Sequence, residues 1–552
     1  MKKDLLLLML CILPSFALLL QRGYFPMHDD LQVMRQLQMD KCFRDRQLPC
    51  RWSADLGYGF GYPLFNFYPP LPYYLGQLFR YMGLAYIDVV KAMGVVGFII
   101  TAFSMYFLGR EFWGRRGGLL SSLFYTYAPY HAVDYYVRGA VNEFWAMGFY
   151  PAIFYTSYKL IRDSSQKKYI VFLSLSFAGL LLSHNPMLMI FAPFLVLWCV
   201  YWMVKMKIYL PAGRALFISG LWSLGLAAFF TLPVLFEKKY AHVETLVIGY
   251  FNYLAHFLDL KQIFWRVNWG YGESVYGPAD TMSFFLGYLH WIIPLIVLIY
   301  FFSKKLSGFK SSILLLTSFI LVSLFMSHFK ATPLWMKFKP LEFLQFPWRF
   351  LTLAVFFTSF LSGAIALVLN KRLYSVLIVI LILINANFFR PRAWFPDTTD
   401  ADKFTGKSWQ LLVTASIFDY LPVWAPLPPP DPAGSDINIL EGKAEVTRLE
   451  KRSHRQRYAV SVASQAAVIE LQTFYFPGWR IWVDGKEMTI DPTRDKFLGR
   501  MRVDLPAGGH DVLARFTDTP VRLVGNLVSL ASWIGLALYI IIPFRRLLID
   551  SG

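Results

Sequence analysis

The chain has 552 residues, with 54 Lys and Arg against 35 Asp and Glu, and a formal charge of +19. Hydrophobic residues make up 56% of it, aromatic residues 18% and charged residues 16%, against roughly 25% charged residues in an ordinary soluble domain. Its apolar residues fall in blocks of about 17 to 22, long enough to cross a hydrocarbon core as helices. This excludes a soluble globular enzyme and a disordered chain, and four cysteines exclude a disulfide-built scaffold.

The basic excess does not read as a nucleic-acid footprint, because much of it sits in short clusters between apolar blocks. The first block, Leu5 to Leu20, follows Lys2 and Lys3 and lacks a small-x-small cleavage site. It reads as an uncleaved first helix with its N-terminus inside. Further spans are expected near 87–109, 117–130, 144–161, 169–184, 186–204, 215–236, 286–302, 311–328, 349–369, 373–390 and 521–543. Alternate junctions carry Arg110, Arg115 and Arg116; Arg162, Lys167 and Lys168; Lys205, Lys207 and Arg214; Lys304, Lys305 and Lys310; Lys371 and Arg372; and Arg545 and Arg546. About twelve helices would put all six clusters on one side, with both termini cytoplasmic.

The opposite face then holds 21–86, 237–285, 329–348 and 391–520. The last segment differs in kind. It has strand-like runs at Ala467-Ala-Val-Ile-Glu-Leu and Trp479-Arg-Ile-Trp-Val, a hairpin signal at Asp484-Gly485, and a turn into another strand from Leu505. The expected architecture is an α-helical polytopic membrane module over 1–390, an exocytoplasmic β-sandwich over 391–520, and a last helix and tail over 521–552.

The first outer loop carries the most chemistry. His28-Asp29-Asp30 precedes Leu31, Met34 and Leu37, whose helical spacing predicts an amphipathic helix on the membrane surface. Asp29 or Asp30 would cap that helix, act as a general base, or do both. A divalent cation at the triplet is the one cofactor candidate, and three adjacent side chains seldom face one ion. Arg51 and Asp55 follow, then a Pro/Gly/aromatic run that includes Tyr68 and cannot be a spanning helix. Its rings suit the membrane interface or a sugar-binding groove. Arg138 with Glu143, His184, and Arg349 all map to the same face as Asp29. Arginines there suit a phosphate or pyrophosphate, although Arg138 could pair with Glu143 and Arg349 could snorkel. Cys42 and Cys50 share the same loop, where an oxidising compartment permits a disulfide.

An N-terminal helix, an acidic cluster opening the first outer loop and many spans before an exocytoplasmic domain resemble C-type (GT-C) glycosyltransferases. Gly61-Tyr-Pro-Leu-Phe-Asn-Phe-Tyr-Pro-Pro-Leu-Pro-Tyr-Tyr74, Arg138-Gly with Glu143, Ser183-His-Asn185 and Phe346-Pro-Trp-Arg349 are similar to a bacterial family labelled "6-pyruvoyl-tetrahydropterin synthase-related membrane protein". The label implies pterin chemistry, yet the chain has neither a zinc triad nor a soluble synthase core. Tyr475-Phe-Pro-Gly-Trp-Arg-Ile-Trp-Val-Asp-Gly485 with Leu505-Pro-Ala-Gly-Gly-His510 is similar to the end of YfhO-type glycosyltransferases.

The resemblance implies a bacterial cytoplasmic-membrane enzyme that takes a sugar from a polyprenyl-phosphate donor. Its acceptor would be a glycan, lipid or protein, with no nucleic acid involved. Asp29 or Asp30 would be the catalytic base of an inverting displacement. His28, Arg51, Asp55, Tyr68, Arg138, Glu143, His184, Arg266 and Arg349 would bind substrate, and 237–285, with Trp269, Tyr271 and Glu273, would help shape the grooves. A transporter or flippase is the main rival, and many of those show internal repeats around a midplane site. No repeat relates the two halves of this chain. A non-catalytic envelope assembly protein is the second rival.

Overall fold

The computed structural model describes residues 2–265, 269–275, 280–415 and 419–541. In chain order its longer helices are α1 (Lys2–Phe16), α2 (Gln32–Arg44), α3 (Leu71–Tyr81), α4 (Tyr86–Thr126), α5 (Val141–Arg162), α6 (Lys167–Leu181) and α7 (Asn185–Met206). There follow α8 (Leu210–Leu226), α9 (Ala228–Glu237), α10 (Tyr288–Ile299), α11 (Lys310–Ser327), α12 (Leu351–Ser362), α13 (Lys371–Asn385) and α14 (Pro520–Ile541). Among the described residues seven helical stretches are long and apolar enough to cross a membrane, and α8 with α9, bent by 75°, makes an eighth. The chain is a multi-pass membrane protein with a C-terminal β-sheet domain.

Helix α4 breaks at Gly114 (φ 71°), a left-handed conformation that glycine adopts without a Cβ penalty. The two halves fold back on each other so closely that a Cβ on Gly109 would lie 3.1 Å from the Gly118 Cα. Small residues permit such backbone approach between membrane helices. The turn between the halves carries Arg115 and Arg116, and Arg115 pairs with Asp4 at the start of α1. Glu111 receives Lys159 and Arg162 at 3.0 and 3.1 Å. The Tyr374 hydroxyl donates to the Arg116 carbonyl at 3.0 Å, and Lys205 donates to Ser311 at 3.0 Å. These contacts gather the basic junctions of six helices at one end of the bundle.

Helix α12 is the hub, with every residue buried. Three of its hydroxyls bond carbonyls about one turn back, Thr352 to Arg349 at 2.7 Å, Thr358 to Ala354 at 2.7 Å and Ser362 to Thr358 at 2.8 Å, while that of Ser359 is buried without a partner among the described residues. Helix α13 is the opposite case. It buries only Tyr374, Leu381 and Asn385 and turns Leu373, Val376, Val379 and Leu383 outward, the composition of a lipid-facing surface.

The C-terminal domain is one antiparallel sheet of six strands: β1 (Ile437–Glu441), β2 (Ala444–Arg452), β3 (Arg455–Phe474), β4 (Trp479–Val483), β5 (Lys486–Met488) and β6 (Arg500–Phe516). The expected sandwich is therefore a single sheet. Long β3 and β6 pair along their length, with a register break between Val462 and Ala466. β1 and β2 pair with opposite halves of β3. The Asp484-Gly485 hairpin forms as expected, with both residues at positive φ. The turn expected from Leu505 does not form, because β6 runs through Pro506 and Gly508 opposite the break in β3.

Two readings of the first outer loop are corrected here. Helix α2 is not a surface helix, because its polar side chains are buried as well. Gln36 donates to Gln77 at 3.3 Å, Gln77 to Asp40 at 2.8 Å, and Gln38 to Asp55 at 2.8 Å. The Pro/aromatic run is likewise internal. Trp52 meets Trp479 edge-on at 5.4 Å and Phe60 stacks on Phe474 at 5.2 Å, so the loop completes the core of the β-domain. Cys42 and Cys50 form a disulfide.

Candidate active site

The segment before α2, with the first residue of that helix, docks on the turn before α5 through three hydrogen bonds. His28 N–H donates to the Val137 carbonyl at 3.0 Å, Asp29 N–H to the Arg138 carbonyl at 2.9 Å, and the Gln32 amide to the Gly139 carbonyl at 2.7 Å. Gly139 makes this possible. It sits at φ +65°, and a Cβ there would meet the Met27 sulfur at 2.4 Å and the Asp29 carbonyl at 3.1 Å. The Arg138-Gly pair is thus a close backbone approach that places Asp29 against Arg138 in the chain path.

Neither carboxylate caps α2. The helix starts after Leu31 without a side-chain cap, which removes the expected capping role. Instead Asp29 Oδ2 accepts from Arg35 at 2.6 Å and from Gln32 at 3.1 Å. Tyr73 donates to Gln32 at 2.5 Å, and the Arg35 guanidinium lies 4.3 Å over the Tyr68 ring. Asp29 Oδ1 has no donor among the described residues, and the side chain is 33% exposed. The carboxylate is held by one oxygen and presents the other.

Asp30 is bound differently. Lys403, from the short helix Asp400–Phe404, donates to its Oδ2 at 2.6 Å, while its Oδ1 is buried without a partner. Burial raises the Asp30 pKa, against the opposing pull of Lys403. The same short helix caps α4 from a distance, since Asp400 accepts from the backbone N–H groups of Tyr86 and Ile87 at 2.8 and 3.0 Å.

Beside this lies a buried charge cluster. Glu143 Oε1 accepts from Tyr130 at 2.8 Å and faces Arg138 at 3.0 Å, and Oε2 accepts from Arg138 at 3.1 Å and Arg349 Nε at 3.0 Å. Arg138 also pairs with Asp134 and lies 4.5 Å over Trp348. Arg349 donates on to the Leu344 carbonyl at 2.5 Å and to Gln345 at 3.1 Å. Both arginines are therefore bridged by Glu143. Burial, with Glu143 nearby, pushes the Asp134 carboxyl up, against the pull of Arg138 and Arg349. His184 accepts from the Met187 N–H at 3.3 Å through Nδ1. Burial and Arg349 push it down to about 3, so the ring is neutral at physiological pH with its proton on Nε2.

The structure thus brings together His28, Asp29, Asp30, Tyr68, Arg138, Glu143, His184 and Arg349. It does not bring Arg51 or Asp55. Arg51 donates to Asn66 at 3.2 Å, the Phe229 carbonyl at 3.0 Å and Asn526 at 2.8 Å, tying the loop to α9 and α14. Asp55 pins the loop to α2 through Gln38 and Lys41. Arg266 lies outside the described residues. His28 donates to the Tyr271 carbonyl at 3.0 Å, which brings the 269–275 segment to the site. With His28 so engaged, no three His, Cys, Asp or Glu side chains gather as a metal-binding group among the described residues. The reading of the sequence missed Gln32, Arg35, Tyr73, Asp134 and Lys403. Arg35 could have been found, six residues after Asp29 in the first turn of α2, whereas Lys403, 373 residues from Asp30, gives no local signal.

No family model matches the chain. It is 23% identical over 319 residues to an uncharacterized protein of Lactococcus lactis subsp. cremoris (strain MG1363), covering 56% of this chain. The chain spans about half the length of that curated relative, 50%. Among solved structures it is similar to the Archaeoglobus fulgidus oligosaccharyltransferase tethered to an acceptor peptide, with 12% identity and a TM-score of 0.40 over 71% of this chain and 51% of that one. It is also similar to ArnT from Cupriavidus metallidurans bound to undecaprenyl phosphate, with 11% identity and a TM-score of 0.36 over 68% of this chain and 62% of that one.

Proposed function

We propose that the chain is a membrane glycosyltransferase of about twelve spans, with both termini cytoplasmic and the site on the outer face of a bacterial cytoplasmic membrane. The donor is a polyprenyl-phosphate-linked sugar and the acceptor a glycan, lipid or protein. One observation carries the reading most: a carboxylate one-third exposed and held by a single oxygen sits against the backbone turn that presents Arg138. Asp29 Oδ1 takes the acceptor proton as the acceptor oxygen attacks the anomeric carbon, and the bond to the lipid phosphate breaks in the same displacement, inverting the centre. Arg35 and Gln32 orient the base. Arg138 and Arg349 face the departing phosphate, and Glu143 spaces the two guanidinium groups. A lipid phosphate leaving group needs no nucleotide-binding fold.

Asp29→Asn keeps the shape and removes the base. Because positioned proton transfer contributes typically 10²–10⁴-fold, purified Asp29→Asn in proteoliposomes with a polyprenyl-phosphate sugar should lose at least about 100-fold in rate with unchanged thermal stability. Near wild-type transfer by Asp29→Asn would end the assignment of the base to this residue.

A further inference from the structure

The sheet carries an unusual row on its outward face. Strand register aligns Arg452 with Arg455, Arg455 with Arg515, and Arg515 with Arg480. Four arginines thus stand side by side across β2, β3, β6 and β4, at the roughly 4.8 Å spacing of neighbouring strands. Like charges directly opposite destabilise a sheet. Nearby carboxylates compensate only in part. Glu450 reaches Arg452 at 2.7 Å and Arg455 at 3.1 Å, and Glu487 reaches Arg480 at 3.7 Å. Arg457, one row further up, is taken by Asp511 at 2.8 Å. Exposed Arg515, the centre of the row, has no ion pair among the described residues. At the strand tip the pKa of His454 is lowered by burial, with Asp45 opposing and the charges of Arg515, Arg452 and Arg455 adding to the fall.

The row lies at the foot of the domain. Arg515 is five residues before Pro520, where the membrane helix α14 begins. The strand tip is bolted to the disulfide-closed loop 42–50, as the Ser453 N–H donates to Asp45 at 2.6 Å and Gln47 donates to Ser453 at 3.1 Å. That loop turns Arg44, Arg46 and Leu48 outward, with Arg44 also facing Asp40 at 3.2 Å. Phe43 then meets Tyr81 edge-on at 6.1 Å, beside exposed Leu78 and Met82. The basic strip therefore runs without a break into apolar side chains just before α4.

We infer that this strip binds the phosphate groups of anionic phospholipids in the leaflet beneath the β-domain. Charge complementarity, position at the start of α14 and continuity with outward apolar side chains favour lipid over a soluble polyanion. The inference stands apart from the transferase reading, because none of these arginines belongs to the site.

The test uses full-length protein in phosphatidylcholine nanodiscs with and without phosphatidylglycerol. Wild type should unfold at a higher temperature with phosphatidylglycerol. Arg515→Gln should be as stable as wild type or more so in phosphatidylcholine alone, since a repelling charge is gone, and should gain less from phosphatidylglycerol. Combined Arg455→Gln, Arg515→Gln and Arg480→Gln should weaken binding of a short-chain phosphatidylglycerol by roughly fivefold per arginine. Unchanged lipid affinity in the triple variant would overturn the proposal. So would an oligogalacturonate or inorganic phosphate that stabilises wild type more than phosphatidylglycerol does.

Discussion

The two ends of the helical bundle hold charge in opposite ways. At the basic end, two carboxylates pair with arginines that reach solvent: Asp4 with exposed Arg115, and Glu111 with exposed Arg162 as well as Lys159. At the other end charges are buried and shared. Glu143 serves two arginines and a tyrosine, and its carboxylate and Asp134 are almost wholly enclosed. Topology requires only the first kind, because cationic loops orient a membrane protein whether or not they pair. Burying several ionised groups together carries a desolvation penalty that only close geometry offsets. Among the described residues the cluster built on Glu143 lies at the end that also holds the partly exposed Asp29 carboxylate, which is why the proposed chemistry is placed there.

Substitutions can break that contrast. Glu143→Ala strands two buried guanidinium groups, and losing one partner of a buried pair costs about 3–5 kcal/mol. A large drop in the thermal midpoint should follow, together with loss of transfer. Gly139→Ala should come next. The alanine Cβ meets Met27 and the Asp29 carbonyl at a left-handed φ, so at least about 1–2 kcal/mol of strain should separate the two docked segments. Loss of transfer activity beyond the loss of folded protein is the readout.

The pH profile sharpens the choice between the carboxylates. Lys403 lowers the pKa of Asp30 against its burial, so Lys403→Met should raise that pKa further. If Asp30 were the base, the acid limb of kcat/KM would move to higher pH in this variant. With Asp29 as base it should stay in place. The smallest effect belongs to the basic end. Arg115→Ala breaks an exposed ion pair, and such pairs are worth about 0–1 kcal/mol. Stability and activity should be close to wild type.

The sequence shows some of this plainly. Apolar blocks and alternating basic clusters announce the helices, since span length and loop charge are local properties. The Asp484-Gly485 turn is readable for the same reason. Helix α2 misleads because Leu31, Met34 and Leu37 define one apolar face, while nothing local shows that Gln36, Gln38 and Asp40 will be met by Gln77, Asp55 and Tyr86. Asp29, Arg138 and Arg349 are recognisable as chemistry-bearing residues. That Glu143 ties the two arginines together, and that neither Asp caps the helix, depends on packing between distant segments.

The link between Asp30 and Lys403 also sets an order of events during synthesis. The ribosome delivers the carboxylate early and its cation 373 residues later. At ~5–20 residues per second, that interval is roughly 20–75 s. Through it the first outer loop has neither Lys403 on Asp30 nor Asp400 on the start of α4. A nascent chain whose first eleven apolar blocks have been made therefore still lacks the Lys403 contact, and assembly of the acidic segment waits until residue 403 of 552 has been added.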